Sequence, residues 1–212
     1  MFHVANNARF WDRAARKYAM NPIGDMAGYE QTLDRTRHYL KDDDSVFEFG
    51  CGTGTTALKL APSVRQLVAT DISHEMIAIA REKADAAGCV NVSFEVGTPD
   101  AAPWPDETYD VILSFNTLHL IPEREAALEG VRRLLKPGGL FISKTPCLKE
   151  MNFLVRAAVP VMQLVGQAPY VRALSGPELE HEIKTAGFKI IERQRHASRG
   201  KDARPFLVAR KQ

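Results

Sequence analysis

Short apolar segments alternate with helical patterns between residues 45 and 145 of this chain. Each apolar segment is four to seven residues long, as expected for strands that are buried on both faces of a sheet. Strands that alternate with helices indicate βαβ units, so we expect an α/β fold with a largely parallel sheet covered by helices on both faces. The predicted strands are Val46–Phe49, Gln66–Thr70, Val92–Val96, Tyr109–Phe115 and Leu140–Ser143.

Residues that begin and end helices support this interpretation. Ser73 stands at the N-cap position of a helix with one apolar side, and Gly88 follows its last turn. Ser175 and Glu178 have the spacing of a capping box, in which a hydroxyl and a carboxylate satisfy the first backbone N–H groups of a helix. The Lys-Pro-Gly-Gly run at 136–139 ends the helix before the fifth strand.

The regions that flank the alternating block have other patterns. Residues 1–41 are predicted to form an N-terminal helical lid, and residues 147–174 a mostly apolar helical insertion. The sequence shows no repeat, low-complexity tract or linker, so we expect a single domain over 1–212 with 45–145 as its core. Residues 175–212 then supply a helix and two strand candidates, Lys189–Arg195 and Pro205–Arg210.

Composition excludes several classes of protein. The 212 residues are 45% hydrophobic and 25% charged, which suits a globular protein that buries its core without disulfide bonds. The 28 Lys and Arg residues nearly balance the 26 Asp and Glu residues, so we expect no nucleic-acid partner. Cys51, Cys89 and Cys147 are odd in number and lack ligand-like spacing, which favours a reducing, cytoplasmic location.

No segment has the pattern of a membrane span or of a secretory signal. Polar and charged residues such as Asn6 and Arg9 interrupt the N-terminus. The longest apolar stretch, Phe153–Val165, contains Arg156 and Pro160 and is shorter than the ~20 residues that a spanning helix needs. We interpret it as a core or lid helix, and a surface for a lipidic acceptor is the alternative.

The most informative segment lies where the first strand ends. Glycines at 50, 52 and 54 allow a strand to turn sharply into a helix and allow backbone to approach a ligand closely. Asp71 ends the second strand 21 positions after Gly50, near the ~20-residue offset of a carboxylate that binds a ribose diol. Open α/β sheets bind nucleotides at this edge, so the two features together predict an adenosine site.

The glycine loop and Asp71 do not by themselves separate a nicotinamide dinucleotide from other adenosine ligands. Thr55 stands where a dinucleotide fingerprint has its third small residue, so the match is imperfect. Glu48 lies two residues before the loop, where an anion is unfavourable beside a pyrophosphate and favourable beside a cationic ligand. Both details disfavour NAD, although an NAD-dependent oxidoreductase remains an alternative.

The run EFGCGTGTT at 48–56 resembles the first motif of class I S-adenosylmethionine (SAM)-dependent methyltransferases. Four further segments follow in the order of that family, and the resemblance extends to its ubiquinone and menaquinone biosynthesis group. It implies a Rossmann-like, seven-stranded, mostly parallel sheet with the last strand antiparallel beside the fifth. The four segments are VATDIS at 68–73, FEVGTPD at 94–100, PWPDETYDVILSFNTLHLI at 103–121 and LLKPGGLFISK at 134–144.

The resemblance also implies roles for individual residues in binding SAM and its product S-adenosylhomocysteine. Asp71 would hold the ribose hydroxyls, and Tyr18 would belong to the lid. Thr98 stands where the family often has an aspartate, so a hydroxyl, the backbone or Asp100 would contact the adenine. The complete set of expected cofactor-binding residues is Tyr18, Glu48, Gly50, Cys51, Gly52, Asp71, Ile72, Met76, Gly97, Thr98, Pro99, Asn116 and Leu118.

Methyl transfer from a sulfonium requires little besides alignment of the reactants and exclusion of water. We expect no metal, because no pair of His or Cys residues has ligand spacing. His119 is a candidate general base, although a histidine between two leucines is more often a packed wall residue. The sequence predicts a methyltransferase for a small-molecule acceptor, monomeric or homodimeric, with a non-catalytic SAM-binding protein as a second alternative.

Overall fold

A seven-stranded sheet forms the centre of the protein. The computed structural model describes residues 2–101, 103–198, 200 and 202–212, and their side chains from Asn6 onward. The strands lie in the order β3-β2-β1-β4-β5-β7-β6. They are β1 (Ser45–Phe49), β2 (Gln66–Asp71), β3 (Val92–Val96), β4 (Tyr109–Phe115), β5 (Leu135–Lys144), β6 (Phe188–Gln194) and β7 (Phe206–Lys211).

The strand directions confirm the expected topology. Strands β1 to β5 pair in parallel with their neighbours, and β7 lies antiparallel between β5 and β6. Strands β1 and β4 are adjacent although two strands separate them along the chain, so the strand order reverses between them. A crevice at the carboxyl ends of the strands beside such a reversal is the usual ligand site of an open α/β sheet.

Seven α-helices accompany the sheet in the described part of the chain. Ser73 caps α4 by accepting a hydrogen bond from the N–H of Met76 at 3.1 Å, and Gly88 ends it with φ of 60°. The predicted capping box of Ser175 and Glu178 is present at α7. The helices are α1 (Phe2–Met20), α2 (Met26–Arg37), α3 (Thr55–Leu60), α4 (His74–Ala87), α5 (Arg124–Leu134), α6 (Phe153–Leu164) and α7 (Gly176–Thr185).

Neighbouring residues of each central strand pack on opposite faces of the sheet. Val46 belongs to a buried cluster that includes Leu33 of α2 and residues of α3 and α4. Phe47 belongs to the other cluster, which includes Leu128 of α5 and residues of α7. Both faces are therefore covered by helices, and this explains why the strands are apolar at successive positions.

Strand β5 begins earlier than the sequence pattern predicts. Leu135 already pairs with Tyr109, whereas the regular register with β4 starts at Leu140 opposite Val111. The Lys-Pro-Gly-Gly run lies between these two pairings. It therefore forms an irregular segment inside β5 and does not precede the strand. A pattern based on apolar side chains detects only the regular part of this strand.

The segment at 147–174 is less helical than predicted. Helix α6 accounts for twelve of its residues, a short 3₁₀ turn covers Leu148–Glu150, and 165–174 contain no helix or strand. None of the residues of α6 is buried. Among the residues that the structure describes, no helix is both long enough and apolar enough to cross a membrane.

Candidate active site

A cavity of about 690 Å³ opens at the carboxyl ends of the central strands. Its walls come from the loops after β1, β2, β3 and β4, from the end of β5 and from the N-terminal helices. Twelve of the thirteen expected cofactor-binding residues line it: Tyr18, Glu48, Gly50, Cys51, Gly52, Asp71, Ile72, Met76, Gly97, Thr98, Pro99 and Asn116.

The glycine loop after β1 has the conformation that its sequence suggests. Gly50, Gly52 and Gly54 have φ of 68°, 54° and 73°, in the left-handed region that favours glycine. A Cβ on Gly50 would overlap the side chain of Thr117, and one on Gly54 would lie 2.7 Å from the ring of Phe94. The loop is therefore tightly enclosed on its protein side, and its backbone faces the cavity.

Asp71 is fixed at the end of β2 by the backbone around it. Its carboxylate accepts hydrogen bonds from the N–H of Gly52 at 3.0 Å and from that of Ser73 at 2.9 Å. Burial raises its pKa, and these backbone N–H groups oppose that rise. Each oxygen retains a free lone-pair direction, so the carboxylate can accept the two hydrogen bonds of a ribose diol.

Glu48 is the most unusual group of the cavity. It is 1% exposed, and its Oε2 has no hydrogen-bond partner among the residues that the structure describes. Burial, and then the nearby negative charge of Asp71, raise its pKa to about 8. A buried carboxyl without a partner is costly unless a ligand satisfies it, so Glu48 fits a site for a positively charged ligand.

The cysteine of the glycine loop has no feature of a nucleophile. Burial and the negative charges of Glu48 and Asp71 raise the pKa of the Cys51 thiol well above its usual range. The thiolate is the reactive form, and its environment disfavours it. Cys51 therefore serves as a small residue in a crowded loop, where its N–H donates to the carbonyl of Thr70 at 2.9 Å.

The segment after β3 forms the next part of the wall. The N–H of Gly97 donates to the carbonyl of Asp71 at 3.0 Å, which ties this segment to the end of β2. Thr98 and Pro99 follow and line the cavity together with Asp100. The sequence leaves three groups open for an adenine contact: a hydroxyl, the backbone and a carboxylate. All three are present in this part of the wall.

Beyond β4 the backbone adopts a conformation that is unusual for its residue type. Asn116 has φ of 56°, which asparagine tolerates better than most residues, and its N–H donates to the carbonyl of Lys144 at 2.8 Å. Thr117 donates its hydroxyl to the carbonyl of Gly50 at 3.2 Å. The loops after β1 and β4 are thus tied together at the point where the strand order reverses.

Leu118 and His119 do not lie where the sequence analysis expects them. Leu118 is fully buried in the core, and neither residue lines the cavity, because a 3₁₀ turn at Leu118–Leu120 redirects the chain. Leu120 and Ile121 line the cavity instead. Burial lowers the pKa of His119 to about 4, so its imidazole is neutral at physiological pH.

The N-terminal helix covers one side of the cavity, as the predicted lid would. Trp11 and Tyr18 both line it, with ring centroids 6.1 Å apart in an edge-on arrangement. The carboxylate of Asp12 accepts a hydrogen bond from the hydroxyl of Ser73 at 2.7 Å, which fixes α1 to the start of α4. Tyr18 remains 50% exposed, so this side of the cavity is partly open to solvent.

The cavity extends past the glycine loop and Asp71 to a polar region that the sequence analysis does not identify. Thr32 of α2, Lys144 at the end of β5 and Arg204 before β7 line it. Lys144 is buried and lies 3.2 Å from a carboxylate oxygen of Asp202, which is also buried. A lysine that ends an apolar strand was the one sequence signal for this region, since its partners come from distant parts of the chain.

A metal site is not evident in the part of the chain that the structure describes. No group of three or more His, Cys, Asp or Glu side chains is arranged to hold a metal ion there. The donor set of the cavity instead consists of backbone groups, carboxylates and hydroxyls around an unpartnered buried Glu48. These residues fit a cationic adenosine ligand, because the carboxylates provide both ribose acceptors and negative charge.

Sequence comparisons agree with this arrangement. Residues 46–139 match a family described as a methyltransferase domain. An uncharacterised methyltransferase, YcgJ, of Bacillus subtilis (strain 168) is 34% identical over 97 residues, which are 46% of this chain and 38% of that protein. A demethylmenaquinone methyltransferase of Shouchella clausii (strain KSM-K16) is 33% identical over 118 residues, 51% of this chain and 50% of that protein. The matched region thus spans half or less of these curated relatives.

Solved structures share the fold over nearly the whole chain. A SAM-dependent methyltransferase from Thermotoga maritima, described as a possible histamine N-methyltransferase, has a TM-score of 0.74 at 22% identity and covers 97% of this chain and 100% of its own. The sequence matches identify residues 46–139 as a methyltransferase domain. The fold of the chain is the one that solved SAM-dependent methyltransferases share.

Proposed function

We propose that this protein transfers the methyl group of SAM to a small-molecule acceptor that binds in the same cavity. The observation that carries the proposal is the continuity of the cavity. One space of about 690 Å³ extends from the glycine loop and Asp71 to a second region bounded by Tyr29, Thr32 and Lys144. A cavity that held only the donor would not need this second region, so we assign it to the acceptor.

The residues around the glycine loop have complementary roles in this proposal. Asp71 accepts the hydrogen bonds of the ribose hydroxyls, and Ile72 and Met76 pack against the adenine. Glu48 offers a negative charge to the positively charged end of the donor. Thr98 lies in the segment that borders the adenine, where it replaces the aspartate that the family often has.

The proposed reaction is a direct in-line displacement, because SAM supplies a methyl group that its sulfonium has already activated. The chain then has to align the acceptor and to exclude water, and the lid residues Trp11 and Tyr18 lie where they can close the donor side. His119 lies outside the cavity walls, so the proposal assigns it no proton transfer. A neutral amine, a thiolate or an acidic enol would need no general base.

Label transfer tests this function. Purified protein is incubated with SAM labelled at the methyl group and with a small-molecule extract of cells, and the products are separated by chromatography. We expect a labelled product that forms with the native protein and that is strongly reduced with Asp71→Ala. Asp106→Ala is the matched control, because Asp106 is an exposed carboxylate outside this cavity.

The same preparation separates the two alternatives. An NAD-dependent oxidoreductase predicts a change in fluorescence when reduced nicotinamide cofactor is titrated, and the methyltransferase predicts none. A non-catalytic SAM-binding protein predicts heat of binding with SAM but no label in any acceptor. Absence of binding to both SAM and S-adenosylhomocysteine at millimolar concentration would reject the proposed function altogether.

A further inference from the structure

A buried carboxylate, Asp202, organises two cationic side chains at the β5 side of the cavity. Lys144 ends β5, Arg204 precedes β7, and both line the cavity. One oxygen of Asp202 lies 3.2 Å from the Lys144 ammonium, and the other accepts hydrogen bonds from the Arg204 side chain at 2.8 Å and from its N–H at 3.0 Å. The Asp202 side chain is only 2% exposed, so the arrangement is built into the fold.

The ammonium of Lys144 is buried and engaged mainly with the protein itself. Besides Asp202, it donates to the hydroxyl of Thr32 at 3.0 Å and to the carbonyl of His196 at 3.1 Å. Two of its three N–H donors make these hydrogen bonds, and the Asp202 carboxylate 3.2 Å away balances its charge. Lys144 therefore acts as a structural cation that fixes Asp202 and α2, and it is not the group that contacts an acceptor.

Arg204 differs from Lys144 in this respect. Its Nε is held by Asp202, and its side chain is 35% exposed along the cavity wall. Among the residues that the structure describes, its two terminal nitrogens have no hydrogen-bond or ion-pair partner. A guanidinium that is anchored through Nε and free at both ends presents a planar pair of donors in a fixed orientation.

The other charged groups of this region leave that pair of donors available. Asp25 also lines the cavity, but its carboxylate accepts hydrogen bonds from the N–H of Gly28 and from the N–H and hydroxyl of Ser198. These bonds, and to a smaller extent the nearby positive charge of Arg204, lower the pKa of Asp25 to about 2, so the carboxylate is ionised and its hydrogen bonds go to Gly28 and Ser198. Burial lowers the pKa of His196 and keeps its ring neutral at physiological pH.

On the basis of the proposed function, we propose that Arg204 binds a carboxylate of the methyl acceptor through its two terminal nitrogens. A planar carboxylate matches two parallel N–H donors, whereas a phosphate would call on additional donors that Lys144 has already committed. The rest of the acceptor is apolar or aromatic, since apolar side chains form much of the remaining walls of the same cavity. These walls include Ile23, Tyr29, Leu33, Phe115, Leu120 and Ile121.

In this arrangement the carboxylate orients the acceptor and is not itself methylated. Both of its oxygens accept hydrogen bonds from Arg204, so the group is held at the β5 side of the cavity. The methylated atom then lies at the opposite, apolar end of the molecule. Asp202 acts as a positioning residue, because it contacts no ligand and fixes the orientation of the guanidinium.

Two probes of equal shape test this inference. Benzoate and its uncharged analogue benzamide are titrated by calorimetry into protein saturated with S-adenosylhomocysteine. We expect benzoate to bind at millimolar concentration at least about tenfold more tightly than benzamide, because charge-assisted hydrogen bonds are the stronger kind. Equal binding of the two probes, or no binding of benzoate, would overturn the inference.

Three variants locate the effect. Arg204→Gln should remove the preference for benzoate, and Arg204→Lys, which keeps the charge without the planar pair of donors, should retain only part of it. Arg210→Gln is the matched control, because Arg210 is an exposed arginine on β7, outside the cavity. An unchanged preference in folded Arg204→Gln would also overturn the inference. If that variant does not fold, the benzoate preference of Arg204→Lys decides: full native preference overturns the inference, and a partial loss supports it.

The design separates this inference from the function on which it rests. Binding of S-adenosylhomocysteine is measured first for each variant, and we expect it to be unaffected by changes at Arg204. If the native protein does not bind it, the proposed function fails. The benzoate and benzamide titrations are then repeated on the protein without that ligand, and their outcome still decides the role of Arg204.

Discussion

Glu48→Gln tests the electrostatic character of the cavity. The native carboxyl is buried, lacks a partner at Oε2 among the described residues and has a pKa raised from 4.5 to about 8, first by burial and then by Asp71. Glutamine keeps the size of the side chain and cannot ionise. The substitution therefore removes the ionisation of Glu48 while the packing around it changes little.

The magnitude follows from the difference between the folded and unfolded pKa values. At about 1.4 kcal/mol for each pH unit, a rise from 4.5 to about 8 corresponds to about 5 kcal/mol. Below about pH 4.5 the contribution of Glu48 to stability is fully present. Between about pH 4.5 and 8 the unfolded chain has lost a proton that the folded protein retains, so the free energy of unfolding decreases as pH rises.

Urea unfolding of the ligand-free proteins measures this effect. We expect the free energy of unfolding of Glu48→Gln to gain several kcal/mol relative to the native protein between about pH 5 and 9. The raised pKa of Asp71 acts in the same direction, but it is present in both proteins and largely cancels in the comparison. Parallel pH profiles for the two proteins would refute the assignment.

Glutamine at position 48 should stabilise the ligand-free protein, but it should weaken the binding of SAM. A cationic ligand beside Glu48 favours the ionised carboxyl, so its binding releases a proton below about pH 8. We expect the affinity of the native protein for SAM to increase between about pH 6 and 8, and that of Glu48→Gln to be lower and less dependent on pH. Calorimetry in buffers of different ionisation enthalpy measures the released proton, and its absence would contradict the predicted contact.

Three other substitutions test separate parts of the site. Asp71→Ala should weaken SAM binding by about 1 to 3 kcal/mol in calorimetry, because charge-assisted hydrogen bonds to the ribose are lost, and native affinity would contradict this role. Gly54→Ala should lower the melting temperature by several degrees, because its Cβ would lie 2.7 Å from the Phe94 ring and its φ of 73° is strained for alanine. An unchanged melting temperature would show that the loop can adapt. His119→Gln should retain donor binding and label transfer, because His119 does not line the cavity; loss of transfer with intact binding would restore it as a catalytic candidate.

Most of the sheet and the donor side of the site follow from local sequence signals. The central strands β1 and β4 are short apolar runs whose alternate residues pack on the two helical layers, as Val46 and Phe47 show. The glycines at 50, 52 and 54 are required by their backbone conformation, and Asp71 is placed by the strand that it ends. Such features depend on nearby residues and on general rules of α/β topology.

The features that sequence analysis misplaces depend on contacts that the local pattern does not encode. Leu118 and His119 follow β4 as expected, but a 3₁₀ turn directs Leu118 into the core and brings Leu120 and Ile121 to the cavity. A shift of one or two positions in such a turn exchanges wall residues for core residues. The apolar composition of this segment suits both arrangements, so it could not distinguish them.

The proposed acceptor side of the cavity illustrates the same limit over longer distances. Thr32 and Lys144 are 112 positions apart in the chain, and Arg204 reaches the same region through the loop before β7. Their proximity is a consequence of the antiparallel insertion of β7 beside β5, which brings Asp202 next to the end of β5. The family motifs lie in the alternating block and describe donor binding, whereas this arrangement uses the flanking segments. Acceptor specificity can therefore differ between relatives that share the central motifs, because different residues of the chain determine it.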